Sequence, residues 1–181
     1  MRMLCAALIA TAVISQPAGA ANTDPRAYVL RATEVPAHYF VDKDNTTLLS
    51  KRMLETDPAS RRAVERSGFV TGYYSRYLNS DPPRWRYIVS AAYLLRTPEG
   101  AKTFLSWMDK KLRAMGAQRH ALHLGDAAFG YLSPAHVTGT WIVWRSGKVV
   151  ALLSCQLMTG HWNLAVALAA KQQRRIAAAL G

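Results

Sequence analysis

The sequence RWRYIVSAAYLLR (residues 84–96), followed at once by TPEGAKTFLSWMDKKLRAMG (residues 97–116), decides the fold. In the first stretch, apolar residues occupy both alternating faces around its middle, which predicts a central strand covered on two sides. In the second, apolar residues recur at spacings of three and four behind a Thr97-Pro98 start, and Gly116 follows as a stop. A buried strand that leads directly into an amphipathic helix is therefore the centre of the expected domain.

Further elements flank this pair on both sides. Before it, Asp57-Pro58 starts a short helix that Gly68 stops, and residues 69–78 form a strand joined to the central strand by a turn. After it come four shorter strands and a closing helix, at residues 118–124, 128–132, 140–145, 148–157 and 161–180. Because hairpins outnumber crossovers, we predict an α+β fold, a mostly antiparallel sheet of about five to six strands with helices packed on it.

The first twenty residues are typical of an export signal. Arg2 supplies a positive start, residues 4–14 form an apolar run, and small residues follow at 17–20. The run is too short to span a bilayer, which needs roughly 20 helical residues, so we expect no transmembrane segment in the mature chain. We predict a signal peptide at residues 1–20 and a single domain at residues 21–181, exported to the periplasm or the extracellular space.

Composition excludes several classes of protein. The 181 residues include 23 Lys and Arg against 11 Asp and Glu, a formal net charge of +12, and half of them are hydrophobic. This apolar content excludes disorder driven by charge. The two cysteines are too few for a disulfide-rich scaffold or a four-cysteine zinc site.

The apolar elements also predict which residues fill the core. Cys155 alternates with aliphatic residues along a strand, which favours a small buried hydrophobic residue over a reactive thiol. Four tryptophans fall within amphipathic elements and are expected to be core anchors rather than a ligand platform; they are Trp107, Trp141, Trp144 and Trp162.

The sequence carries no catalytic signature that we recognise. It has no nucleophile elbow, phosphate-binding loop or dinucleotide fingerprint, so we predict no catalytic residue and no cofactor. His120 and His123 lie close to Asp126, but residues three apart on a strand point to opposite faces, and we predict no metal site. The alternative that stays open is a secreted hydrolase whose site assembles distant His residues, such as His161, with Ser or Asp.

Basic residues alternate with aromatic residues around the turn between the first two long strands. Pairing of these strands is expected to place Arg76 close to Arg84 or Arg86, and guanidinium groups bind phosphate and carboxylate in a planar fork. We therefore predict an anion-binding patch of Arg76, Arg84, Arg86 and Tyr87, against the competing interpretation of ordinary solvated charge. Expected partners are an anionic envelope polymer, a lipid headgroup or an acidic protein. Export disfavours nucleic acid, and the oligomeric state stays open.

The second half of the chain carries a recognisable arrangement of strand, helix, turn and hairpin. Its segments are RTPEGA at residues 96–101, LGDAA at 124–128, VWRSGKVVA at 143–151 and LAAKQQRRI at 168–176. Over residues 69–176 this arrangement resembles small exported bacterial proteins of unassigned function with a PsbP-like α-β-α sandwich. The resemblance implies a non-catalytic binding, accessory or assembly protein and brings no catalytic residues. We expect an exported binding or accessory protein of the bacterial cell envelope that recognises an anionic ligand or an acidic partner.

Overall fold

Eight strands form one sheet within residues 23–81, 86–133, 139–156 and 161–181, the parts of the chain that the computed structural model describes. The strands are β1 (Tyr39–Val41), β2 (Thr47–Leu49), β3 (Phe69–Asn79), β4 (Tyr87–Leu95), β5 (Gln118–Leu122), β6 (Ala127–Leu132), β7 (Gly139–Ser146) and β8 (Val149–Gln156). The helices are α1 (Lys51–Leu54), α2 (Pro58–Ser67), α3 (Pro98–Ala114) and α4 (Trp162–Leu180), and short 3-10 turns lie at Pro25–Tyr28, Ala32–Glu34 and Lys43–Asn45. The predicted signal peptide, residues 1–20, lies outside the described residues.

The strand order is β1, β3, β4, β8, β7, β6, β5, and β2 pairs with β3 beside β1. Every pairing is antiparallel, so the α+β class with an antiparallel sheet and packed helices is confirmed. The predicted number of five to six strands is wrong, because β1 and β2 were missed. Each of these strands has only three residues, too few to show an alternating pattern.

Helices cover both faces of this sheet. α4 and the turn Pro25–Tyr28 pack on one face, here called the α4 face, while α2 and α3 pack on the other, here called the α3 face. Side chains along β4 enter the two cores alternately, with Ile88 on the α4 face and Val89 on the α3 face. Because residues 88–95 are all buried, the prediction of a central strand covered on two sides is confirmed.

α3 begins directly after β4 and is fixed there by α2. The hydroxyl of Thr97 accepts a hydrogen bond of 3.0 Å from the N–H of Gly100, and Pro98 occupies the first helical position. A Cβ atom at Gly100 would lie 2.1 Å from the carbonyl oxygen of Ser67, the last residue of α2. This close backbone approach sets where the two helices cross, and it directs Phe104 of α3 into the core.

α2 begins with a strong cap. The carboxylate of Asp57 accepts hydrogen bonds from the hydroxyl and N–H of Ser60 and from the N–H of Ala59. The hydroxyl bond and then these backbone bonds lower the pKa of Asp57 to about 2. The carboxylate of the cap therefore stays ionised until the pH falls to about 2.

We expect Asp57→Ala to lower the melting temperature at neutral pH, because the substitution removes the cap of α2. A carboxyl group whose pKa is lowered by folding stabilises the fold fully above its ordinary value of 3.8, and this contribution is lost as the pH falls through about 2. The melting-temperature difference from the wild-type protein should stay constant from about pH 7 to about pH 5 and shrink between about pH 4 and about pH 2.

Asp57→Asn is the matched control, since asparagine keeps a cap acceptor that cannot ionise. At neutral pH, Asp57→Asn should lower the melting temperature less than Asp57→Ala does. A difference for Asp57→Ala that stays constant down to about pH 2 would contradict the role of the ionised cap.

Candidate functional site

Two residues of the predicted anion patch, Arg76 on β3 and Tyr87 on β4, meet on the α3 face. The Arg76 guanidinium lies 5.2 Å from the centre of the Tyr87 ring, a cation–π distance. Its Nε and Nη2 atoms each lie 2.6 Å from the Oδ2 atom of Asp42, a buried residue that follows β1. The side chain of Asn45 donates a further hydrogen bond to the same oxygen. The charge of Arg76 is thus balanced by a carboxylate within the protein.

The pKa of Asp42 follows from these contacts. Desolvation by itself would raise this pKa, but the hydrogen bonds from Arg76 and Asn45, together with the charge of Arg76, hold it below its ordinary value. The hydroxyl of Thr46 also accepts a hydrogen bond of 3.1 Å from the N–H of Arg76. The Asp42 contacts fix the Arg76 side chain, and the Thr46 bond fixes its backbone. Asp42 is 34 residues away in the chain, too far for sequence patterns to show the pair.

Arg86 lies on the opposite face of the sheet from Arg76. Side chains alternate along a strand, so the residue before Tyr87 points to the α4 face. Burial raises the pKa of Tyr39, a residue of the α4-face core, and the nearby charge of Arg86 offsets part of that rise. Of the two arginines expected near Arg76, Arg86 thus points away from it, and Arg84 lies outside the described residues. Anion binding at this hairpin stays a prediction.

Beside Arg76 the α3 face carries a shallow groove lined only by residues of the sheet. We call it the aromatic groove; it encloses about 130 Å³ and is lined by Tyr74, Tyr87, Val89, Trp141, Leu152, Ser154 and Gln156. These residues come from β3, β4, β8 and β7, which are neighbours in the sheet. The rings of Tyr74, Tyr87 and Trp141 are each half-buried. The expectation that Trp141 is a core anchor is thus met only in part.

Polar groups lie among these rings. Burial and the neighbouring Tyr87 raise the pKa of Tyr74, while the charge of Arg76 opposes the rise. The Tyr74 hydroxyl is therefore protonated at neutral pH and can donate a hydrogen bond. The side-chain amide of Gln156 donates to the hydroxyl of Ser154 on the same strand. The groove can thus hold a ligand that has a flat apolar face and hydrogen-bonding groups at its edge.

A second and larger groove lies between α4 and the N-terminal segment. We call it the basic groove; it encloses about 560 Å³ and is lined by Ala27, Arg31, Thr33, Glu34, Lys171, Arg174, Arg175, Ala178 and Ala179. Its two walls come from opposite ends of the chain. No sequence pattern predicts this groove. The helical period places Lys171, Arg174 and Arg175 on one exposed face of α4, but it does not show which segment packs beside them.

This chain resembles a solved extracellular domain in its fold. The match is to the crystal structure of the extracellular domain of PknH from Mycobacterium tuberculosis, with a TM-score of 0.54 and 12% sequence identity. It covers 84% of this chain and 94% of that domain. No protein-family model matches the chain, and no curated protein sequence matches it. At this identity the likeness to the PknH domain shows the fold alone.

Among the helices of the described ranges, none combines the length and the apolar character needed to cross a membrane.

The histidines named in the sequence analysis lie apart from both grooves. The His120 ring packs edge-on against Trp162, with 5.5 Å between ring centres. His123 and Asp126 line a separate cavity of about 330 Å³, where Asp126 pairs with Arg145 at 3.3 Å. Within the part of the chain that the structure describes, no three His, Cys, Asp or Glu side chains cluster as metal ligands.

Cys155 is fully buried in the core on the α4 face. Burial raises the pKa of its thiol to about 12. A thiol with this pKa is protonated at neutral pH and is a poor nucleophile. The interpretation of Cys155 as a small buried hydrophobic residue is confirmed.

Proposed function

We propose that this chain is an exported, non-catalytic binding module of the bacterial cell envelope whose ligand lies in the aromatic groove. Two observations support the compartment: the signal-like residues 1–20 and a fold similar to that of an extracellular domain. The resemblance of residues 69–176 to small exported bacterial proteins of unassigned function also supports this compartment.

The aromatic groove is the observation that carries the proposal. Three half-buried rings, those of Tyr74, Tyr87 and Trp141, offer flat apolar surface, and the amide of Gln156 provides a polar group between them. Sugar rings have the complementary chemistry, since one face exposes C–H groups and the rim exposes hydroxyls. Of the partners expected from the sequence, the envelope polymer therefore fits this surface best, through sugar rings rather than through its anionic charge.

The role of Arg76 in this site follows from its pairing with Asp42. Because the carboxylate balances the guanidinium charge, the pair carries no net positive charge. Binding in the aromatic groove should accordingly depend on stacking and hydrogen bonds, and change little with salt concentration.

Sedimentation with insoluble peptidoglycan tests the proposal. We expect the wild-type protein to sediment with purified sacculi in about 0.5 M NaCl, a concentration that screens exposed charges. Tyr87→Ala should weaken this binding by about tenfold or more, because a stacking ring is lost from the centre of the site.

The matched control is Tyr73→Ala. Tyr73 is also a half-buried strand tyrosine, but it packs with the core of the α4 face, where the Arg26 guanidinium lies 5.5 Å from its ring. The Tyr73→Ala protein should sediment like the wild-type protein. Absence of sedimentation by the wild-type protein, or equal losses for both variants, would refute the assignment of this groove to a wall polymer.

A further inference from the structure

The basic groove has more positive than negative charge along its walls. Four cationic side chains line it, Arg31, Lys171, Arg174 and Arg175, together with a single carboxylate, that of Glu34. Arg175 pairs with Glu34 at 3.6 Å. Arg31 and Arg174 are exposed, and neither forms an ion pair with any acidic residue that the structure describes. Four cations against one carboxylate leave a net positive charge along the groove, which favours an anionic ligand.

Hydrogen bonds join the two walls of the groove, α4 and the N-terminal segment. Arg175 donates from Nε to the carbonyl of Val29 at 2.7 Å and from Nη2 to the carbonyl of Ala27 at 3.2 Å. Lys171 donates to the backbone carbonyl of Glu34 at 3.0 Å. These bonds hold the N-terminal segment against α4, so a ligand would not have to order the walls before binding.

Size and donor type indicate the class of ligand. A volume of about 560 Å³ lies within the range of roughly 300–1,000 Å³ that is common for small-molecule sites. It exceeds the volume of a single phosphate group, so the groove also has room for what the phosphate is attached to. The two exposed guanidinium groups, of Arg31 and Arg174, can each donate two parallel hydrogen bonds to phosphate oxygens.

We propose that the basic groove is a binding site for a phosphate-bearing anion, held by Arg31 and Arg174 with Lys171 at its side. This site is separate from the aromatic groove and rests on its own contacts, so it does not depend on the proposed function. Two sources supply the same chemistry: a soluble phosphate compound, or the phosphate of a lipid headgroup at a membrane surface.

Two probes and two charge-matched variants test the proposal. The probes are inorganic triphosphate, measured by calorimetry, and vesicles of phosphatidylglycerol, measured by sedimentation, both at low salt. The double variant Arg31→Gln/Arg174→Gln removes two charges from the groove. The control Arg61→Gln/Arg62→Gln removes two charges from exposed residues of α2, on the other side of the sheet.

We expect the groove variant to bind either probe at least tenfold more weakly than the wild-type protein, and the α2 control to stay within about twofold. Binding of triphosphate would indicate a soluble ligand, and binding of vesicles alone would indicate a headgroup; a selective loss in the groove variant supports the site in both cases. Equal losses in the two variants, or no wild-type binding to either probe, would overturn it. Tyr87→Ala should leave both affinities unchanged, which separates this test from that of the aromatic groove.

Discussion

Replacing Trp144 by alanine should lower the free energy of unfolding by about 3–5 kcal/mol, the largest effect we expect from a single substitution. Trp144 is fully buried between β7 and α4, and its Nε1 atom donates a hydrogen bond of 2.8 Å to the side-chain oxygen of Gln173. The substitution leaves a cavity in the core of the α4 face and removes a bond that holds α4 to the sheet. Urea denaturation followed by circular dichroism measures the loss.

Two variants make this prediction specific. Trp144→Phe keeps most of the ring volume and should cost less than half as much as Trp144→Ala. Trp107→Ala removes a tryptophan that is only half-buried on α3 and should also cost less. If the free energy of unfolding of Trp144→Ala lies within about 1 kcal/mol of the wild-type value, the described packing of α4 on β7 is incorrect.

Gly100→Ala should destabilise the protein by about 3 kcal/mol, although alanine favours helix over glycine by about 1 kcal/mol at an ordinary helical position. The added Cβ atom would lie 2.1 Å from the carbonyl oxygen of Ser67. Because that oxygen belongs to the backbone, no side-chain rotation can relieve the clash, and α2 and α3 must separate.

Lys102→Ala is the control for Gly100→Ala. Lys102 lies on the exposed side of the same helix, so its replacement should change the free energy of unfolding by less than about 0.5 kcal/mol. A Gly100→Ala protein as stable as the wild-type protein, measured by the same urea titration, would rule out the close approach of the two helices.

The central strand β4 and the starts of α2 and α3 could be predicted from short stretches of sequence. The alternation in residues 84–96 predicted a central strand with two covered faces, and the caps at Asp57 and Thr97 mark where α2 and α3 begin. These predictions hold because a helix cap, or the apolar face of a helix, depends on residues within a few positions of each other.

The candidate sites could not be predicted in the same way. Arg76 and Tyr87 lie together in the structure, but the partner of Arg76, Asp42, comes from a segment with no periodic signal. Arg86 of the predicted patch lies on the opposite face of the sheet from Arg76, because side chains alternate along a strand. The basic groove joins residues up to 148 positions apart, and only the folded chain brings them together.

The contacts of Arg175 with Ala27 and Val29 also have a consequence for the order of folding. The segment at residues 25–30 and α4 share one core, so that core cannot close until residues near 176 have left the ribosome. The sheet strands can pair earlier, but the α4 face stays open during synthesis. The core of the α4 face can therefore form only when both segments are present, so removal of part of α4 should be costly.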